Sequence, residues 1–184
     1  MKKIYLLIVF LITFSSIHAD IIDVTIFFRA ELCDRDCIRT LERSFRSLPG
    51  VRGVQPSPSS GTIKLFWRPR AAFDYRQINL IMQRLGLKLS SLDLTVRGTV
   101  TQAGNRFFLD SLGDPTRMEL LNRPAPSDTQ FVERKNIQTH VVRNPLREQL
   151  IEAKAQDALL RIQGTLFAPH RNDNKLIVNT IRVD

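Results

Sequence analysis

Cysteine is scarce in this sequence. Only Cys33 and Cys37 occur among 184 residues. Two thiols are too few for a disulfide scaffold, so the fold must rest mainly on hydrophobic cores. Histidine is nearly as rare, at His18, His140 and His170. The last two stand isolated and are expected at a surface or an edge rather than as ligands. No Ser/His/Asp arrangement, phosphate-cradling glycine loop or pair of carboxylates stands out, and the sequence points to no enzyme. After the N-terminus, no stretch is long and apolar enough for a membrane helix.

Acidic residues are also in deficit, with 18 Asp and Glu against 27 Lys and Arg and a formal net charge of +9. The basicity is rich in arginine and spread along the chain, without a compact block. Such a spread can favour acidic partners or anionic lipid, but simple solubility explains it as well and is preferred.

The N-terminus has the anatomy of a secretory signal. Lys2 and Lys3 form a basic start, residues 4–14 are an apolar run of eleven, and Ser15, Ser16 and Ala19 give a small, polar exit. That run is too short to span a bilayer comfortably. Cleavage after Ala19 is expected, leaving residues 20–184 secreted or periplasmic, with no transmembrane segment and a formal charge of +7.

Residues 22–28 alternate, with Val24, Ile26 and Phe28 on one face and Asp23, Thr25 and Phe27 on the other, as in a strand. A turn at residues 30–32 follows. Ile38, Leu41, Phe45 and Leu48 then recur at helical intervals. Asp34 or Asp36 is suited to cap that helix, and Pro49-Gly50 to end it. A short strand at 51–54, a turn-rich loop at 56–61 and a half-buried strand at 62–68 come next. A second helix starts at Asp74, carries Ile78, Ile81, Met82 and Leu85, and stops at Gly86. Extended chain resumes at 87–89. The order β-α-β-β-α-β is that of a ferredoxin-like domain, with helices on one face of an antiparallel sheet. Its other face, with Phe27 and Phe66, is left for solvent or a protein partner.

The second half begins with an alternating strand at 92–100, a turn at 103–106 and a returning strand at 107–110. A third short strand is read at 117–121. A proline-bearing loop and a weakly patterned stretch at 131–142 follow. A helix is expected over 145–159, with Pro145 in its first turn. Strands at 160–167 and 175–183 close the chain, the latter with Leu176, Val178 and Thr180 on one face. Three strands, a helix and two strands is the order of a five-stranded OB barrel. Gly98 and Gly164 sit where such strands curve sharply. This half resembles OB-fold domains in that pattern. The sequence therefore predicts an α+β chain: a ferredoxin-like βαββαβ domain over 20–91, then a small OB-like five-stranded β-barrel with one helix over 92–184.

Phe107, Phe108, Phe131 and Phe167, with Arg97, Arg106, Arg123 and Arg161, are the residues that a single-strand-binding surface would use. Core positions for the phenylalanines and a solvated rim for the arginines are the stronger reading, and export removes most nucleic acid from reach.

Two chemistries are open to Cys33 and Cys37. Thiolates are soft ligands and select Cu(I), Zn or Hg(II), and a helix N-terminus favours the thiolate. Glu31, Asp34 and Asp36 oppose that charge and shift preference toward harder ions. Alternatively the pair forms a disulfide, as an exporting compartment promotes.

The first half resembles the heavy-metal-associated domain of copper chaperones and metal-pumping ATPases. The strand Val24-Thr25-Ile26 leads to Cys33 at that family's distance, and Cys37 leads to Ile38, Leu41, Phe45, Leu48 and Gly50-Val51 at its spacing. Residues 63–67 and 78–86 match its second half. The family carries Gly-Met-Thr-Cys-x-x-Cys; here Ala30, Glu31 and Leu32 precede a C-x-x-x-C. The resemblance implies a non-enzymatic, exported protein holding Cu(I) or another soft ion through Cys33 and Cys37. The other reading is a disulfide-stapled interaction or structural module without metal.

Overall fold

A computed structural model describes residues 21–29, 33–110, 116–123, 140–167 and 174–184. The expected signal, the turn at 30–32, Phe131, the weak stretch through 139, His170 and most of the turn at 172–174 lie outside these residues.

Among the described residues twelve elements follow one another, eleven of them helices or strands and one a 3-10 turn at Pro58–Ser60. Strand β1 (Ile21–Phe28) buries Ile21, Val24, Ile26 and Phe28. Helix α1 (Arg35–Arg46) buries Leu41 and Phe45. Strands β2 (Val51–Ser57) and β3 (Thr62–Trp67) form a hairpin. Strand β2 runs three residues past the expected end at Val54, and Pro56 still pairs with Ile63. Proline is tolerated there because β2 is an edge strand, whose outward N–H has no partner to lose.

Helix α2 (Tyr75–Arg84) is capped by Asp74, whose side chain accepts from the Arg76 N–H at 2.9 Å. It ends as its sequence foretells. Gly86 takes φ +67°, and the N–H groups of Leu87 and Gly86 donate to Met82 and Gln83 at 2.9 and 3.0 Å. Those bonds satisfy the last carbonyls, and only glycine adopts that backbone freely.

The first four strands lie in the order β2-β3-β1-β4, all antiparallel. Strand β4 (Leu89–Ala103) is the longest element. Its first part pairs with β1, and its last part pairs with β5 (Arg106–Asp110). Along 93–98 its other edge pairs with β7 (Leu160–Leu166). The ring β4-β5-β6-β8-β7 closes into a five-stranded barrel with β6 (Arg117–Leu121) and β8 (Lys175–Val183). Only β6 and β8 run parallel within it. The boundary expected between 91 and 92 falls inside β4, so one strand serves both sheet and barrel. Its alternate residues Leu92, Leu94, Val96 and Val100 all point inward, and a single hydrophobic core runs from α1 through the barrel.

Two sequence expectations in the barrel need correction. Helix α3 (Leu146–Ala155) stops four residues short of Leu159. Asp157 turns into the left-handed region at φ +46°, and the N–H groups of Ala158 and Asp157 donate back to Ala153 and Lys154. The geometry is the one Gly86 gives α2, with aspartate in the role of glycine. On β8, Thr180 is exposed and Ile181 packs against the core. A register shift between Gln163 and Gly164 makes Thr180 pair with Gln163 and Val178 with Gly164, so Asn179 is the extra residue. A bulge of this kind reverses the facing of everything beyond it.

Candidate functional site

Cys33 and Cys37 are joined by a disulfide with their Cα atoms 5.2 Å apart. The bridge spans the N-terminus of α1. Asp34 is the N-cap, and its carboxylate accepts from the Cys37 N–H at 2.8 Å. Cys33 therefore stands just before the cap and Cys37 in the first turn, which accounts physically for three intervening residues. One covalent bond and one cap bond close the same small loop. The sulfurs are half-buried and pack against the core, while Asp34, Arg35 and Asp36 are exposed.

In this state neither sulfur is a nucleophile or a ligand. Opening the bond takes two electrons and two protons, after which two thiols would stand at a helix N-terminus, where the backbone dipole favours thiolate. Among the described residues, no group of three or more His, Cys, Asp and Glu side chains comes together as a ligand set.

The second surface named from sequence is the sheet face away from the helices. Phe27 and Phe66 both lie on it, half-buried. They do not touch as a pair, because Phe27 is opposite Thr62 and Phe66 opposite Asp23. Four residues of strand separate them, about 13 Å. Polar groups fill the space between. Lys64 contacts Asp23 at 3.2 Å and its ammonium sits 5.6 Å from the Phe66 ring centre. Thr95 donates to Asp23 at 3.1 Å, and Thr165 to Asp93 at 2.7 Å. Because β7 pairs beside β4, this face continues onto the outer wall of the barrel without a break in the ladder.

The arginines and phenylalanines of the barrel are distributed otherwise than on a stacking platform. Phe107 and Phe167 are core residues. Phe108 is half-buried, with the Arg117 guanidinium 4.0 Å and that of Arg106 5.3 Å from its ring centre. Arg106 is held by Glu119 at 2.6 Å, and that bond pushes its pKa further above the usual arginine value. Arg117 pairs with Asp110 at 3.1 Å. Arg97 and Arg161 both reach the Asp184 carboxylate, at 2.7 and 2.6 Å. Arg123 is exposed.

His140 is a correction. It is 1% exposed, not at a surface or an edge. Its ring lies 5.0 Å from that of Phe167, and its carbonyl accepts from the Asn122 N–H at 2.7 Å. Sequence reasoning also passed over Leu80, which is 49% exposed on α2 beside a trough between α1 and α2. Its lack of fit to the stripe Ile78, Ile81, Met82, Leu85 was the available signal.

Among the described residues, no helix is long and apolar enough to cross a membrane. Comparisons with family models, with curated proteins and with solved structures return no match.

Proposed function

We propose that this protein is an exported, non-enzymatic interaction module whose first helix is stapled by the Cys33–Cys37 disulfide. The bond itself carries the reading: it occupies both thiols and links the chain entry to the helix N-terminus. Disulfides persist in oxidising compartments, which agrees with a secretory signal over residues 1–19 and a secreted or periplasmic location. The strand order β2-β3-β1-β4 supports a ferredoxin-like first domain over 20–91 of the heavy-metal-associated type. The ring β4-β5-β6-β8-β7, with α3 between β6 and β7, supports an OB-like second domain over 92–184. A protein partner is assigned to the open sheet face around Phe27 and Phe66, and nucleic acid is not.

Photo-cross-linking groups placed at Phe27 and Phe66 test this in the native compartment. Discrete protein adducts from both positions, with the disulfide intact, are the expected result. Adducts no more abundant than from exposed Gln149, on α3, count against the sheet face.

A second reading keeps Cys33 and Cys37 as ligands of Cu(I) or another soft ion. The half-exposed pair at a helix N-terminus favours it once the bond is reduced. Anaerobic, reduced protein would then bind about one ion per chain and lose it in Cys37→Ala.

A further inference from the structure

We infer that the trough between α1 and α2 is a docking groove for an acidic amphipathic helix of a partner protein. This rests on the protein being an interaction module, but on the side of the sheet opposite Phe27 and Phe66.

The trough encloses about 330 Å³. Ser44 of α1 and Ser47, the residue that caps its C-terminus, line one wall, and Leu48, Ile81 and Leu85 supply apolar surface inside. Leu80 stands beside them, 49% exposed. A large aliphatic side chain half in water next to a concave apolar floor is a natural anchor contact for an inserted helix.

The one charged residue that lines the trough is Arg84, and the two helices beside it carry more arginine than acid. Helix α1 has Arg35, Arg39, Arg43 and Arg46 against Asp36 and Glu42, and α2 has Arg76 and Arg84 with no acidic residue. Arg39 and Arg46 are engaged by Asp36 and Glu42, at 3.4 and 2.7 Å. Among the described residues, Arg43 and Arg84 have no ion pair, and Arg84 lines the trough. An occupant with apolar residues on one face and carboxylates flanking them matches floor and rim together. A second copy of this chain would bring its own arginines to the same place, which repels. A flat anionic bilayer would meet Leu80 and the arginines but leave the trough floor uncovered.

The test uses the oxidised, signal-cleaved chain and a fluorescent synthetic helical peptide with leucines at i, i+3, i+4 and i+7 and flanking glutamates. Fluorescence anisotropy should show saturable binding that weakens as salt rises. Leu80→Ser and Arg84→Glu should each weaken it at least about tenfold, since central anchors carry most of such an interface. Both positions are exposed, and circular dichroism checks that the variants fold. Phe27→Ser should leave peptide binding unchanged, so failure of the sheet-face reading is separable from failure here. Equal binding of a peptide with lysines in place of glutamates overturns the inference. So does undiminished binding by either variant, or binding of phosphatidylglycerol vesicles without binding of the peptide.

Discussion

The Asp34 carboxylate accepts a hydrogen bond from the Cys37 N–H at 2.8 Å, inside the loop that the Cys33–Cys37 bond closes. Cap and covalent bond therefore fix the same turn. Asp34→Ala removes the cap and should lower stability by about 1 kcal/mol, with Asp34→Asn largely restoring it. Urea denaturation of the oxidised protein measures this. An unchanged midpoint in Asp34→Ala would show that the disulfide alone holds the turn.

Reducing the bond, or replacing both cysteines by serine, should cost about 2 kcal/mol on the chain-entropy account, because the loop closed is very short. The remaining core is extensive, so the reduced protein should stay folded and cooperative. Paired urea melts with and without reductant give the difference. Complete unfolding on reduction would mean that the bridge does more than staple one turn.

Gly164 of β7 lies opposite the bulge in β8, where a Cβ would meet the Ile177 carbonyl oxygen and lie 2.7 Å from Leu176 Cγ. Gly164→Ala should therefore destabilise by roughly 1–3 kcal/mol through strain against the β8 backbone. A thermal melt that matches the parent would show that the two strands separate at little cost.

Tyr75 gives a pH dependence. Burial pushes its phenol above the ordinary tyrosine value. The unfolded chain then loses its proton first. The stability that the neutral phenol contributes is fully present below about pH 10 and is lost as pH rises through the folded value. Tyr5 lies within the expected signal, so the cleaved chain has a single tyrosine. Ultraviolet titration should show one phenolate step that moves to lower pH on denaturation, and Tyr75→Phe should flatten the alkaline fall. A step at the same pH in folded and denatured protein would contradict this.

Much of the architecture could be read from alternation. Val24, Ile26 and Phe28, or Leu41 and Phe45, announce both their element and the face they bury. The joint between the halves could not be read that way. Ser90 and Ser91 look like a linker, yet they belong to β4, whose outward face is polar throughout. Asn179 gives no sign of its bulge, because the shift arises from pairing with β7. His140 reads as a lone polar residue until Phe167 and Asn122 come beside it from distant parts of the chain. At the site, the spacing of Cys33 and Cys37 suits both an ion and a bond. An aspartate N-cap, at Asp34 or Asp36, was legible in the sequence, and the structure places it at Asp34, between the two cysteines. The joining of the sulfurs was not, since it depends on how the loop enters the helix.

The central claim is the state of the two sulfurs. Protein isolated from its native compartment, trapped with acid, denatured and treated with a thiol-alkylating reagent before mass analysis, tests it most directly. The account predicts no alkylated cysteine without reductant and two after reduction. Two alkylated cysteines in the unreduced sample would contradict it.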